Sequence, residues 1–444
     1  MKRIATLDSG PVLKLVLFTA LTVRIAAAFW FDPPLISDDR DYHAIAQSLV
    51  RGEGFAIDGA LTAYRLPGYP YVLAAVYGVF GESGLAVRLL QALVDVFSCL
   101  LTYLLGRRLL TERQAQTAAG IYAILPISIL YTTVRMSESV FTACFLLFLV
   151  LLPEDPKDLR RPILLGVIAG CAVLIRSTAL LLPVIILVAP SFSSQPLSTR
   201  LRSCAMTVGV MFIVLCPWMA RNERIFDRFS LTSNGGVNFW MGNHSGASGS
   251  YSFPAGNPLD SVSEDFDRSD LGYRLGLEFW RDEPAAAVVL TAKKLAHFFA
   301  IDYWMVMVQT VPQDWRPPER AITFFQQLPV SWLVAVQLPF VAIMVFALPG
   351  IVFLSPDRRH LWKPVMAAGL LWIAAHLLIY GTARYRFPLY PLFILAAVEG
   401  WMIAKRERPV APSRFQLIVV AILALVLIGG WSAEMWMLLS NHTP

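Results

Sequence analysis

In the run Ser-Asp-Asp-Arg-Asp-Tyr-His (residues 37–43), Asp38, Asp39 and Asp41 crowd into one short stretch, directly after an apolar segment. A carboxylate so placed can take a proton from a hydroxyl, orient a nucleophile or hold a cation. It can also simply begin a helix. Ser37 or Asp38 followed by DYHAIAQSLVRG has a capping residue, acids at the helix's positive end and Gly52 near its exit. Capping, however, needs one acceptor rather than three. Other ionisable groups also stand in apolar surroundings. Arg24 interrupts the first apolar run, Glu138 opens one in RMSESVF, and Arg176 splits another. Arg384 and Arg386 flank Tyr385 in YGTARYRFPLYP. Such groups are costly at membrane depth and usually face a protein interior or a watery cavity. Carboxylates and arginines gathered at one bilayer surface suit a substrate with a lipid tail, an anionic head and a proton to be removed.

The elements that must position these residues follow from composition. Of 444 residues, 56% are hydrophobic and 15% charged, against roughly 25% charged in soluble domains. The chain therefore reads as an all-α polytopic membrane protein. Apolar stretches of spanning length begin near Pro11, Leu85, Gln114, Glu138, Pro162, Thr178 and Ser203, then near Ser331, Leu361, Leu389 and Phe415, about eleven in all. Lys2 and Arg3 precede the first, and Ala26-Ala27-Ala28 resembles a cleavage site, but Arg24 breaks the apolar core. An uncleaved first span is expected. The five cysteines lie in or beside apolar runs without paired spacing, so neither a disulfide framework nor a zinc site is indicated.

Basic residues set the orientation. Arg107, Arg108 and Arg113 share one loop, Lys157, Arg160 and Arg161 the next, and Arg200 and Arg202 another. Arg358, Arg359 and Lys363, and then Lys405, Arg406, Arg408 and Arg414, complete an alternating series. The amino terminus is then cytoplasmic and the carboxyl terminus outside. Three regions follow. Residues 1–221 form a membrane domain of seven spans whose first outer loop, 32–84, carries the acids. Residues 222–329 form a periplasmic loop, and 330–444 hold spans eight to eleven. Within the loop, PAAAVVLTAKKLAHFFAIDYW has an apolar face and is expected to lie on the membrane as one amphipathic helix.

The segment SDDRDYHAIAQSLVRGEGF, with TAYRLPGYPYVLAAVYGVFG and VRLLQALVDVFSCLLTYLLGRRL, resembles the GT-C glycosyltransferases. It is similar in particular to bacterial relatives of protein O-mannosyltransferases and to the lipid A aminoarabinose transferase. An Asp-x-x-x-Tyr spacing is matched by Asp38 and Tyr42, and a Pro-Gly-Tyr-Pro-like turn by residues 67–70. SNGGVNFWMGNHSGASG and ARYRFPLYP resemble the family's outer loop and last outer turn. The resemblance covers most of the chain. It implies a GT-C fold with outer juxtamembrane helices and a large outer loop. It also implies a bacterial inner-membrane location with the site facing the periplasm or exterior, and a polyprenyl-phosphate sugar donor. The acceptor would be a hydroxyl of a glycan, lipid or protein, with no nucleic-acid partner. By the same analogy Asp38 would accept the acceptor's proton, Asp39 would fill a second acidic position and Glu138 a third. Any divalent metal would fall to Asp39 and Glu138. Tyr42, Arg65, Arg176, Arg24, Arg384 and Arg386 would bind substrate, with the guanidinium groups taking the donor's phosphate. The aminoarabinose transferase carries a Glu-Lys pair near Arg65-Leu66, which this chain lacks, and that counts against aminoarabinose as the sugar.

Other readings stay open from the residues alone. Arg384 and Arg386 could snorkel to lipid headgroups. A transporter or flippase for a lipid-linked or anionic solute would use similar charges, but would show repeated halves and broken helices, and the sequence shows neither. A non-catalytic scaffold or a polymerase is a third reading. His43 and His376 could ligate a metal or be satisfied polar residues. Asp95 and Glu399 could be catalytic or paired to arginines, and Asn243-His244-Ser245 matches a glycosylation sequon. The Gly-rich GNHSGASG follows no strand and opens no helix, so it is no nucleotide loop.

Overall fold

The structure, a computed structural model, describes residues 10–152, 158–188, 196–251, 254, 256–312, 329–407 and 412–440. Lys2, Arg3, Lys157, Arg408 and residues 313–328 of the expected outer loop lie outside the described residues. Every segment read as a span is helical. Among the described residues six helices are long and apolar enough to cross a membrane: Pro11–Trp30, Gly84–Leu109, Leu197–Phe226, Val330–Val352, Ala383–Ala404 and Arg414–Trp436. The others are shorter or interrupted, among them Glu138–Val150 and the 3₁₀ stretch Ser177–Val188. The expected count of about eleven therefore remains a topological proposal.

Gly84–Leu109 is the central post, packed by Pro11–Trp30, Glu112–Ala123 and Glu138–Val150. Lipid offers no hydrophobic drive between helices, so close packing and buried polar ties hold them. Helices Val330–Val352 and Tyr390–Ala404 touch backbone to backbone: a Cβ on Gly350 would strike the carbonyl of Ala396, and one on Gly400 that of Phe346. Arg24 supplies a polar tie. It is fully buried, pairs with Asp95 at 2.6 Å and donates to the carbonyls of Ala20 and Ala123 and to Ser128 Oγ. Arg358 makes another, pairing with Glu399 and donating to the carbonyl of Leu109. Asp95 and Glu399 are thus structural partners of arginines.

The basic segments gather at one end. Arg358 joins the ends of Gly84–Leu109 and Tyr390–Ala404, Arg108 reaches the carbonyl of Leu152, and Gln416 that of Val352. The opposite end carries residues 32–84. There Asp38–Val50 packs on Gly68–Phe80, joined through a two-stranded antiparallel hairpin pairing Ala56 with Leu61. Its turn is Asp58-Gly59, with φ of 51° and 80°, the left-handed pair that a two-residue hairpin demands. Asp-Gly is a common sequence for that turn, but neither the turn nor a strand was expected in the all-helical reading.

Two differences from expectation concern residues 284–310. The chain does not form one continuous helix there. Pro284–Phe298 ends, and Tyr303–Thr310 restarts at a 50° bend. Together they are long and apolar enough for a broken span or a re-entrant loop, so a broken helix is present after all. The stripe Ala287, Leu290, Lys294 and Phe298 is buried against protein. Helical periodicity gave the apolar face correctly, but not what covers it.

Candidate active site

The site grows from the start of helix Asp38–Val50, where the aspartates divide their tasks. Asp39, in the first turn, braces the helix start: its Oδ1 accepts from the backbone N–H groups of Ile36 (3.0 Å), Ser37 (2.6 Å) and Arg40 (3.1 Å). Ser37 makes no side-chain cap. Burial pushes the Asp39 carboxyl up, although these N–H groups oppose the shift. With one oxygen committed to the backbone and the side chain buried, Asp39 has a structural task. This departs from the catalytic role expected of it.

Asp38 and Asp41 face the other way. Arg65 lies between them, with Nη2 at 2.8 Å from Asp38 and 2.7 Å from Asp41. Arg65 itself follows a strand end gripped from the long loop. Ser233 N donates to the carbonyl of Ala63, Thr232 Oγ1 to that of Tyr64, and Arg221 to those of Thr62 and Phe55. The ring of Tyr42, one helical turn from Asp38, lies edge-on to Tyr69 at 5.1 Å and beneath the Arg65 guanidinium.

Arg384 arrives from the far end of the chain. Its turn, the 3₁₀ helix Ala383–Leu389, is fixed by Trp372 Nε1 donating to the Tyr385 carbonyl and by Gly381 N donating to the Gly249 carbonyl. Only glycine fits at 381, since a Cβ there would strike the carbonyl of Lys294. Arg384 Nη2 lies 2.8 Å from Asp38 Oδ2, while its Nε donates to Glu138 Oε1. Arg176 Nη2 holds the same Glu138 oxygen at 2.6 Å. The result is a continuous chain of charge, Asp41–Arg65–Asp38–Arg384–Glu138–Arg176, with three carboxylates and three guanidinium groups. Although burial opposes ionisation, Arg65 and then Arg384 hold Asp38 well below the usual carboxylate range. Asp38 is 25% exposed, whereas Glu138 is buried.

Asp38, Tyr42, Arg65, Glu138, Arg176 and Arg384 are thus brought together, across more than three hundred positions of sequence. Arg24 and Arg386 are not. Arg24 belongs to the Asp95 tie described above. Arg386 points into the core, donating to the carbonyls of Phe298 and Ala300 beneath the ring of Phe340. Neither is placed to bind substrate, and neither is free to snorkel. Sequence reasoning missed Asp41 as the second partner of Arg65, and Trp304, whose ring lies 5.5 Å from the Arg384 guanidinium. Asp41 was visible as the third acid, while Trp304 was hidden inside the supposed surface helix.

Among the described residues no group of three or more metal-ligating side chains occurs. Asp39 and Glu138 have separate partners, and two guanidinium groups flank Glu138. That pair does not fit a divalent cation. His43 Nδ1 meets the Tyr77 hydroxyl at 2.8 Å, and His376 Nδ1 the Trp372 carbonyl at 2.8 Å. Asn243 of the sequon is buried, accepting from Trp280 and Lys294 and donating to the carbonyls of Phe239 and Leu378.

Residues 65–220, less than half of the chain, match the family model described as dolichyl-phosphate-mannose-protein mannosyltransferase. No curated protein matches the sequence significantly. The apo crystal structure of the Archaeoglobus fulgidus oligosaccharyltransferase aligns with TM-score 0.51 at 16% identity, over 100% of this chain and 57% of its own. The same organism's oligosaccharyltransferase AglB, in complex with an inhibitory peptide and a dolichol-phosphate, gives 0.48 at 16% identity, over 97% of this chain and 55% of that one. ArnT from Cupriavidus metallidurans bound to undecaprenyl phosphate gives 0.44 at 15% identity, over 89% and 78%. The chain thus spans little more than half the length of the archaeal protein, and at such identity the likeness is one of fold.

Proposed function

We propose that this chain, an integral membrane protein with the GT-C fold, is a glycosyltransferase. It moves a sugar, a hexose or pentose, from a polyprenyl-phosphate donor to a hydroxyl of a glycan, lipid or protein at the outer face of a bacterial inner membrane. The observation that carries the reading is the bridging position of Arg384 between Asp38 and Glu138. A donor's phosphate group offers the planar guanidinium fork of Arg384 a second anion to bind. A donor phosphate reaching this point would draw Arg384 away from Asp38. The loosened carboxylate then becomes more basic, as an acceptor of protons must be. The acceptor oxygen attacks the anomeric carbon while the bond to the phosphate oxygen breaks. The phosphate departs as an anion, and the hydroxyl proton passes to Asp38. Single displacement of this kind inverts the anomeric centre. Arg65, shared with Asp41, keeps Asp38 oriented throughout.

The acceptor would approach from the side of Tyr251, which is exposed and lies edge-on to Tyr380. The bent pair of residues 284–310 is one feature that a flippase would share. A flippase would move the donor without cleaving it. Binding of undecaprenyl phosphate to purified variants tests the phosphate site. Arg384→Lys keeps the charge but loses the fork, so affinity should fall about 3–10-fold, and Arg384→Ala about 10–100-fold. Unchanged affinity in both variants refutes the assignment.

A further inference from the structure

The two arginines that flank Asp38 are held from one stretch of the long outer segment. Thr232 Oγ1 and Ser233 N bond the carbonyls of Tyr64 and Ala63, just before Arg65. Further along, Gly242, Asn243 and Gly249 meet residues 377–381, just before Arg384. Asn243 Nδ2 donates to the Leu378 carbonyl at 2.8 Å, and the Gly249 carbonyl accepts from Gly381 N at 2.8 Å. Gly242 lies so close to the Ile379 carbonyl that a Cβ there would strike it. Lys294 completes the grip. Its Nζ donates to the Leu377 carbonyl at 3.1 Å and to Asn243 Oδ1 at 2.7 Å, where Trp280 Nε1 also donates at 2.7 Å. Three successive carbonyls at the end of helix Pro356–Leu377 are thus contacted from outside it, and the chain runs on into the turn that bears Arg384.

Lys294 is fully buried, yet among the described residues its ammonium bonds only neutral oxygens. A buried charge without an opposite charge is costly. Plain adhesion between the outer segment and this helix needs only apolar side chains. What the ammonium adds is direction: it favours the negative end of a helix and fixes the orphan carbonyls there. Arg384 Nη2 must in turn reach Asp38 Oδ2 at 2.8 Å while its Nε reaches Glu138, so a shift of the helix end shifts the fork. We propose that Lys294 and Asn243 are positioning residues, which set the Arg384 fork toward Asp38 and the donor's phosphate by holding residues 377–381. This rests on the reading of Arg384 as the phosphate ligand. Neither residue is bonded to a member of the charge chain, so their effect passes through Arg384.

The test is a double-mutant cycle on the full chain in detergent, read as affinity for undecaprenyl phosphate. Lys294→Met keeps most of the stem and removes the ammonium. Trp280 still satisfies Asn243 Oδ1, so no buried charge is left behind. Affinity should fall about 3–10-fold, less than in Arg384→Ala, because the fork is displaced and not removed. In an Arg384→Ala background the same substitution should change affinity less than about 2-fold. Asn243→Asp is the second variant. It keeps the bond to Lys294 but sets an acceptor against the Phe239 and Leu378 carbonyls, and its loss should vanish in the same background. A general structural role predicts the same change with and without Arg384. Wild-type affinity in both variants, equal loss in both backgrounds, or failure of both variants to fold overturns the positioning role and leaves the phosphate reading standing. Wild-type affinity in Arg384→Ala overturns the phosphate reading, and the positioning role with it.

Discussion

Asp38 presents a conflict between geometry and reactivity. Paired to Arg65 and Arg384, it is held well below the usual carboxylate range, and so lowered it is a poor base. The conflict resolves if the donor's phosphate competes for Arg384, because kcat/KM reports the free enzyme and kcat the complex. Loss of activity on acidification should thus occur at higher pH in kcat than in kcat/KM. Identical acid limbs in a pH series on purified protein would show that donor binding does not loosen Asp38. The stability effect has a separate sign. A lowered carboxyl stabilises the fold above the usual carboxylate range and loses that contribution only as pH falls through the lowered value. At this scale the sequence was partly legible. Ionisable groups in apolar runs had to be somewhere useful, and Asp38, Glu138, Arg176 and Arg384 do meet. Arg24 and Arg386 satisfied the same criterion but found partners in the core, Asp95 and two carbonyls. Nothing local to an arginine tells which distant group it will meet.

Elements were legible where a signal was local, as with the start of helix Asp38–Val50. Its N-cap is Ser37, one of the two candidates, but the Ser37 side chain makes no capping bond and Asp39, in the first turn, accepts the neighbouring N–H groups instead. Asp39→Ala removes an acceptor of three N–H groups and should cost about 1–3 kcal/mol, read as a lower unfolding temperature in detergent. Asp39→Asn keeps a side-chain carbonyl and should stay close to wild type. A larger loss of turnover than of stability in Asp39→Asn would return this residue to a chemical role. The break at Asp302 was not legible, because residues 284–304 carry a helical apolar pattern and no proline interrupts them there. An aspartate within such a run was the one available sign.

At the scale of the whole molecule, the basic segments meet at one end and the charge chain closes the other. The alternating loops expected from the sequence thus converge in space, although helices as short as Glu138–Val150 leave the number of crossings to labelling. Single cysteines at exposed positions of residues 227–251 and 256–283 should react with a membrane-impermeant thiol reagent in intact cells. Those beside Arg107 and Arg358 should react only after permeabilisation. Labelling beside Arg358 in intact cells would invert the proposed orientation. The central claim is that this membrane protein cleaves a polyprenyl-phosphate sugar with Asp38 as base. Its most direct test follows release of undecaprenyl phosphate from its sugar ester by purified, reconstituted protein, wild type against Asp38→Asn. The substitution preserves size and removes the negative charge, and with it the ion pairs to Arg65 and Arg384. Turnover about 10²–10⁴-fold slower in a protein that still unfolds cooperatively is the expected result, whereas near-normal release by Asp38→Asn would contradict it.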